Sequence, residues 1–274
     1  MRWRVVLLAG LVVLAGCPAG PNEDAEPTET VTPVPEPTPV GATGSWLDAP
    51  AGTTGSATID GSALADVHAN ETRQDSTRTV RLRIESETGL LLAYRANLTV
   101  SGSEFLTDRR YRGPATARFV PGSTNATDAS EQYYDGDAGT ERRQVVDGRV
   151  RTEDGAEYPR FEPALRIDPK GFIETLLDGV PIRNRTDADV YVASTRQETL
   201  PGATVPRYLS DPRNAEIHAQ IDESGRVERL VVAYEATDDG RPVRVEQTLV
   251  WRPAVVGDDP PSWVEGTPTQ TDES

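Results

Sequence analysis

Residues 217–251 read IHAQIDESGRVERLVVAYEATDDGRPVRVEQTLVW, a stretch with three polar–apolar alternations separated by two turn sequences. Apolar side chains at every second position are typical of strands with one buried face. The turn sequences, 223–225 and 238–240, are short enough to join antiparallel neighbours. We therefore predict an antiparallel meander whose covered face carries Ile217, Ala219, Ile221, Leu230, Val232, Tyr234, Val243, Val245, Leu249 and Trp251.

The same alternation appears in the N-terminal half of the chain. Val80, Leu82 and Ile84 alternate with charged residues, and a second alternation follows from Leu92 to Val100. Less regular patterns predict strands at 104–111 and 115–120. Two further strands, 141–146 and 149–152, flank Asp147-Gly148, which indicates a type I′ hairpin turn.

Two helices are predicted beside these strands. The first runs from Asp60 to about Glu71, with Asp60 as its N-cap and with Leu64 and Val67 on one face. The second has Asp168 as N-cap, Pro169 in its first turn and Gly179 after its end. Its apolar stripe consists of Phe172, Ile173, Leu176 and Leu177. Because each strand has one apolar face, the helices are the expected cover, and the chain is predicted to be an α+β protein.

The N-terminus has the pattern of an export signal. Arg2 and Arg4 precede an apolar run at 5–15, which is too short to span a bilayer. The run ends in Leu14-Ala15-Gly16-Cys17, which resembles a bacterial or archaeal lipobox. That resemblance implies cleavage of 1–16 and attachment of a lipid to Cys17. The alternative is an ordinary secretory signal with an incidental cysteine.

These patterns divide the chain into four parts. Residues 1–16 are the predicted lipoprotein signal peptide, and 17–44 are a lipid-anchored linker rich in Pro, Thr and Glu. Proline lacks the N–H donor of sheets and helices, so we expect this linker to be disordered and extended. Residues 45–265 are predicted to form a single domain, and the polar tail 266–274 is expected to be disordered.

The composition restricts the partners. The chain has 28 Lys+Arg against 44 Asp+Glu, a net charge of −16, which argues against nucleic-acid binding. Removal of Arg2 and Arg4 with the signal would leave 26 against 44, or −18. One Cys excludes an internal disulfide, and two His exclude a three-histidine metal site. Excess acid with a single lysine resembles the proteins of halophilic archaea; an acidic bacterial lipoprotein is the alternative.

Four of the six asparagines stand in N-x-[ST] sequons. We expect N-glycosylation among them, as suits an exported protein, although any one site could be unmodified. The four acceptors are Asn70, Asn97, Asn125 and Asn184. The alternation around Asn97 places it on the polar face of its strand.

The order of these elements resembles haloarchaeal surface lipoprotein families of unknown function. These are similar in turn to the lipoprotein-carrier half-barrel of LolA and LppX. The resemblance covers about 50–265 and rests on the Leu64/Val67 helix, Tyr133-Tyr134-Asp135-Gly136-Asp137, the 168–177 helix and Pro261-Ser262-Trp263. It implies a strongly curved antiparallel sheet folded around about two helices. In carriers the space between sheet and helices accepts acyl chains.

Catalytic motifs are weak in this sequence. It contains no Gly-x-Ser-x-Gly elbow and no P-loop, and both His68 and His218 are predicted to be surface residues. Residues 135–139 resemble the start of a calcium loop, but Val146 stands where an EF-hand needs Glu. Paired carboxylates could serve a glycosidase, but 44 acids make chance pairs common. Aromatics that could line a ligand cavity, or equally form core, are Tyr133, Tyr134, Phe172 and Trp251.

We therefore expect a non-enzymatic, monomeric protein without cofactor or metal. It would be anchored by lipid at the extracytoplasmic face of the membrane and would bind an apolar ligand or lipid. The alternative is a structural or interaction protein of the cell envelope without a small ligand. A continuous apolar cavity above about 300 Å³ would favour the first function.

Overall fold

The computed structural model describes residues 58–73, 75–120, 124–136, 139–155, 169–185, 190–254, 261 and 263–264. All of these lie within one compact unit, Ala42–Ser274. The signal peptide, Cys17, the linker and the C-terminal tail lie outside the described residues.

The strands form one open antiparallel sheet, which confirms the predicted fold class. Its eleven strands follow the order β6-β5-β4-β3-β2-β1-β11-β10-β9-β8-β7. The chain therefore builds one arm outward from β1 to β6 and the other inward from β7 to β11, and β1 pairs with β11 in the middle. The bounds are β1 Ser76–Ser86, β2 Gly89–Ser101, β3 Glu104–Arg112, β4 Asp128–Gly136, β5 Gly139–Val146, β6 Arg149–Asp154, β7 Ile182–Arg185, β8 Val190–Thr199, β9 Leu209–Asp222, β10 Val227–Asp238 and β11 Arg241–Pro253.

Tight turns fix the pairing of neighbouring strands. Asp147 and Gly148 both have positive φ (45° and 79°), as do Asp239 and Gly240 (47° and 79°). These are the backbone angles of type I′ hairpins, which match the twist of the flanking strands. The predicted Asp147-Gly148 hairpin is confirmed.

Two α-helices pack against each other and against one face of the sheet. Helix α1 spans Gly61–Glu71, and the Asp60 carboxylate accepts a hydrogen bond from the Ala63 N–H at 2.9 Å, which confirms the predicted cap. Helix α2 spans Pro169–Leu177 and lies between β6 and β7 in the chain. After it, Gly179 has φ +70°, and its N–H donates to the Ile59 carbonyl at 2.9 Å. This contact ties the end of α2 to the start of α1.

The helices fill the concave side of the sheet, which gives the half-barrel that the resemblance implied. Phe172, Ile173, Leu176 and Leu177 are all buried, and they join one core cluster with apolar residues of nine strands. Phe172 is 1% exposed, as expected for a helix that plugs a curved sheet. We call the sheet face that packs against α1 and α2 the inner face.

Several elements differ from the prediction. Residues 115–120 were expected to form a strand, but Pro114–Arg118 is a 3₁₀ helix. It follows Gly113, whose φ of +113° breaks the extended backbone, and Pro114 cannot donate a sheet hydrogen bond. Strands β4, β7 and β8 were not predicted at all.

Candidate functional site

The inner face has an apolar part and a polar part. The strand register places Leu82, Tyr94 and Tyr111 opposite one another on β1, β2 and β3, and all three are buried. One row further along the strands, Val80 and Ala96 lead into Arg109 on β3 and Glu131 on β4. The apolar wall therefore becomes charged toward the outer strands of the first arm.

Gln247 interrupts the apolar part at the centre of the sheet. It lies on β11 between Leu82 of β1 and Val232 of β10, and it is 1% exposed. Neither its Oε1 nor its Nε2 has a hydrogen-bond partner among the residues that the structure describes. Leaving a buried polar group unpaired costs about 1–3 kcal/mol, so such a group normally meets a water or a ligand.

Buried Tyr234 and half-buried Tyr208 add further unpaired hydroxyls. The hydroxyls of Tyr234 on β10 and Tyr208 before β9 have no hydrogen-bond partner within the described ranges. Burial raises the pKa of both phenols above the usual value, and Asp238 further raises that of Tyr208. Both hydroxyls therefore remain protonated donors.

An aromatic and ionic link joins the two arms of the sheet near these tyrosines. Phe119 stands after the 3₁₀ helix, with ring centroids 6.1 Å from Tyr111 and 5.5 Å from Tyr208. Arg118 donates to Asp238 at 2.7 Å, and its guanidinium lies 5.3 Å from the Tyr208 ring centroid. The β3–β4 connection is thereby held against the turn between β10 and β11. No local sequence pattern predicts this contact, because its two residues are 120 positions apart.

The polar part of the inner face contains a buried ion-pair cluster. Arg109 Nη1 lies 3.5 Å from Glu131 Oε2, with side chains 4% and 10% exposed. Arg142 of β5 donates through Nε to the other Glu131 oxygen at 2.5 Å, and its Nη1 lies 3.6 Å from Glu153 of β6. Glu131 on β4 thus bridges Arg109 on β3 and Arg142 on β5, the two strands that flank β4. We call Arg109, Glu131, Arg142, Arg151 and Glu153 the arginine cluster.

His68 was predicted to lie on the surface, and this prediction is wrong. It is 2% exposed, its ring stands edge-to-face to Trp251 at 4.5 Å, and its Nδ1 accepts the Val227 N–H at 3.2 Å. Burial first, and then Arg78 and Arg226, lower the pKa of His68 to about 4. The ring is therefore neutral near pH 7, with its proton on Nε2. His218 is exposed on β9, as predicted.

The aromatics that could line a cavity separate by face. Tyr133, Phe172 and Trp251 lie on the side of the sheet occupied by the helices, and all are buried. Tyr134 points to the other face, where its hydroxyl donates to Glu104 at 3.2 Å. Of the residues that resemble a calcium loop, Asp135 and Gly136 end β4, and Gly136 pairs with Gly139 at the start of β5; residues 137–138 lie outside the described residues.

The sequon asparagines lie in different environments. Asn70 and Asn125 are exposed, at the end of α1 and before β4. Asn97 is half-buried on the outer face of β2, where it accepts the Thr79 hydroxyl hydrogen bond at 3.0 Å. Asn184 lies on β7 opposite Val192. Cys17 lies outside the described residues.

Within the described residues, no group of three or more His, Cys, Asp or Glu side chains is placed to hold a metal ion. No helix in this part of the chain has the length and apolarity needed to cross a bilayer.

Comparisons with known proteins give distant likenesses. No protein-family model matches the chain, and no curated protein matches it. The crystal structure of Rv2717c from M. tuberculosis is similar over 68% of this chain and 96% of that one, at 10% identity and a TM-score of 0.22. A candidate oleoyl thioesterase from Lactobacillus plantarum is similar over 76% and 93%, at 12% identity and a TM-score of 0.16. At these scores neither likeness assigns a function.

Proposed function

We propose that this protein is a non-catalytic binding module that holds an apolar ligand or lipid against the inner face of its sheet. The observation that supports this function best is Gln247, a buried amide without a partner among the described residues, in an apolar wall. Ligand sites are mostly apolar and contain a few well-placed polar groups that orient the ligand. Gln247 and the Tyr234 hydroxyl have this character.

A substitution at Gln247 tests the proposal. Gln247→Met keeps the size of the side chain and removes both unpaired atoms, so we expect the ligand-free protein to become more stable by about 1–3 kcal/mol. The same variant should carry less ligand when purified from its host, as measured by native mass spectrometry of the co-purifying lipid. Gln220→Met is the matched control, because Gln220 lies on the outer face of β9 opposite Val192.

The control should change neither stability nor loading. Absence of any co-purifying small molecule from the wild-type protein would contradict the proposed function. Equal loading of wild type and Gln247→Met would remove its main support.

A structural role in the cell envelope is the second candidate. It is favoured by the four apolar residues of α2, which are each at most 1% exposed. If they fill the interior, Phe172→Ala should cost about 3–5 kcal/mol, as in other packed cores. If ligand fills part of that space, the same variant should cost far less and should change ligand loading.

We further propose that the protein is held by a lipid on Cys17 at the extracytoplasmic face of the membrane. The support is the lipobox pattern at 14–17, which contains the only cysteine of the chain. Cys17→Ser should leave the protein uncleaved or release it into the medium. Unchanged processing and unchanged membrane retention of this variant would contradict the anchor.

A further inference from the structure

A small cleft opens beside the arginine cluster. It measures about 60 Å³ and is lined by Arg142, Gln144, Arg151 and Glu153 of β5 and β6. The register connects Arg142 through Tyr133 and Thr107 to Leu98 on β2, so these side chains share the inner face. The cleft is therefore on the same side of the sheet as the proposed ligand.

The charges around this cleft do not balance. The arginine cluster contains three arginines and two glutamates, which leaves one positive charge among these five groups. This excess is notable in a chain with a net charge of −16. An excess of arginine over glutamate within one cluster favours an anion at this place.

The arginines of the cluster also differ in how far they are exposed to solvent. Arg109 and Glu131 are almost fully buried and form the fixed base of the cluster. Arg142 is 26% exposed, and Arg151 is exposed on β6, so both can be reached from the cleft. Glu131 holds the Nε side of the Arg142 guanidinium in place. A bound anion would thus meet an arginine that is already oriented.

The size of the cleft restricts the anion. Its volume of about 60 Å³ is far below the roughly 300–1,000 Å³ of ligand pockets, so the cleft accepts only a small polar group. A carboxylate has this size, and guanidinium groups bind carboxylates through paired N–H···O bonds.

Resting on the proposed binding function, we infer that the ligand is a long-chain carboxylate whose head group occupies the cleft between Arg142 and Arg151. Its apolar tail leaves the cleft along β5 beside Val146, which is half-buried and packs against the core. Charge-assisted hydrogen bonds from Arg142 and Arg151 favour the carboxylate over neutral amphiphiles.

A pair of fluorescent probes tests this inference on the full chain. Dansylaminoundecanoic acid carries the carboxylate, and its methyl ester has the same tail without the charge. We expect the wild-type protein to bind the acid about tenfold or more tightly than the ester, since charge-assisted hydrogen bonds are the stronger class. Arg142→Gln should remove this preference by weakening the acid alone. In that variant Glu131 keeps Arg109 as its partner, so the fold should be retained.

Arg143→Gln is the matched control, because Arg143 is the next residue and points to the other face, toward Gln132. It should change neither affinity. Arg151→Gln provides a second variant at an exposed position and should also weaken the acid selectively. Two results would overturn the inference that the ligand is a carboxylate. One is equal affinity of the wild-type protein for acid and ester. The other is equal weakening of both probes by Arg142→Gln and Arg151→Gln. Ester binding without acid preference would leave the binding function standing, whereas binding of neither probe would overturn both.

Discussion

At the scale of single residues, burial gives the His68 ring a pKa well below the usual value for histidine. Its pKa is lowered to about 4 from 6.5, so between these values the unfolded chain binds a proton that the folded protein does not. The stability contribution of the neutral ring is fully present above pH 6.5 and is lost as pH falls toward 4. Below pH 4 both states are protonated and no further loss follows.

We therefore predict that wild type loses up to about 3 kcal/mol more stability than His68→Gln between pH 7 and pH 4. Denaturant unfolding at a series of pH values measures this difference, and the carboxylates common to both proteins cancel. His218→Gln is the control and should follow wild type, because His218 is exposed. Parallel curves for wild type and His68→Gln would show that His68 is not buried in its neutral form.

The sequons give a second prediction at this scale. We expect at least two of the four to carry glycan in protein from its own host, with exposed Asn125 and Asn70 the most accessible. A glycan at Asn97 would also establish the outer face of β2, since only that face could carry it. Glycopeptide mass spectrometry measures occupancy, and four unmodified asparagines would contradict the expectation.

At the scale of elements, the contact between α1 and α2 depends on Gly61. A Cβ at this position would clash with the Glu174 carbonyl and would lie 2.9 Å from the Asp178 Cβ, both in or just after α2. The Gly61 N–H also donates to the Asp178 carboxylate at 3.1 Å. Gly61→Ala should force the helices apart and cost about 1–3 kcal/mol, the usual range for overpacking.

Gly202→Ala is the control for this substitution, because no atom lies within 4 Å of the added Cβ. Thermal unfolding should show a clear loss for Gly61→Ala and little change for Gly202→Ala. Equal melting temperatures for Gly61→Ala and wild type would mean that the two helices are not in close contact at this point.

The elements that the sequence predicts most fully are those whose buried face is mostly apolar. Strands β1, β2 and β9–β11 alternate cleanly, and both helices carry complete caps or stripes. Strand β4 reads DASEQYYDG and places Glu131 on the inner face, so it has no apolar alternation. Arg109 and Arg142, which lie on other strands, compensate the buried charge of Glu131. The sequence around Glu131 does not indicate which distant residues will pair with it. The candidate site was missed for the same reason, since its residues meet only through strand register.

At the scale of the whole molecule, the sheet order is a long-range property. The pairing of β1 with β11 joins residues such as Val80 and Leu249, which are far apart in the chain. Hairpin signals predict sequential neighbours only, so the sequence favoured two meanders without fixing how they meet. The resemblance to half-barrel carriers predicted a curved sheet, and the β1–β11 pair joins the two arms into that one sheet.

Net charge is the other property of the whole molecule, and it predicts a dependence on salt. The formal charge is −16, and it would be −18 after the proposed cleavage before Cys17. The Debye length is about 3 Å at 1 M salt and about 10 Å at 0.1 M, so repulsion between neighbouring carboxylates grows on dilution. We expect the melting temperature to be lower in 0.1 M than in molar sodium chloride. The fall should be roughly 2–4 °C for each kcal/mol by which weaker screening lowers the free energy of unfolding. Sucrose is the control, because it favours burial by exclusion from the surface without screening charge. Circular dichroism across both series measures the melting temperature. Stabilisation by charge screening would be contradicted if the melting temperature did not fall at low salt. It would also be contradicted if sucrose restored the melting temperature as well as salt does.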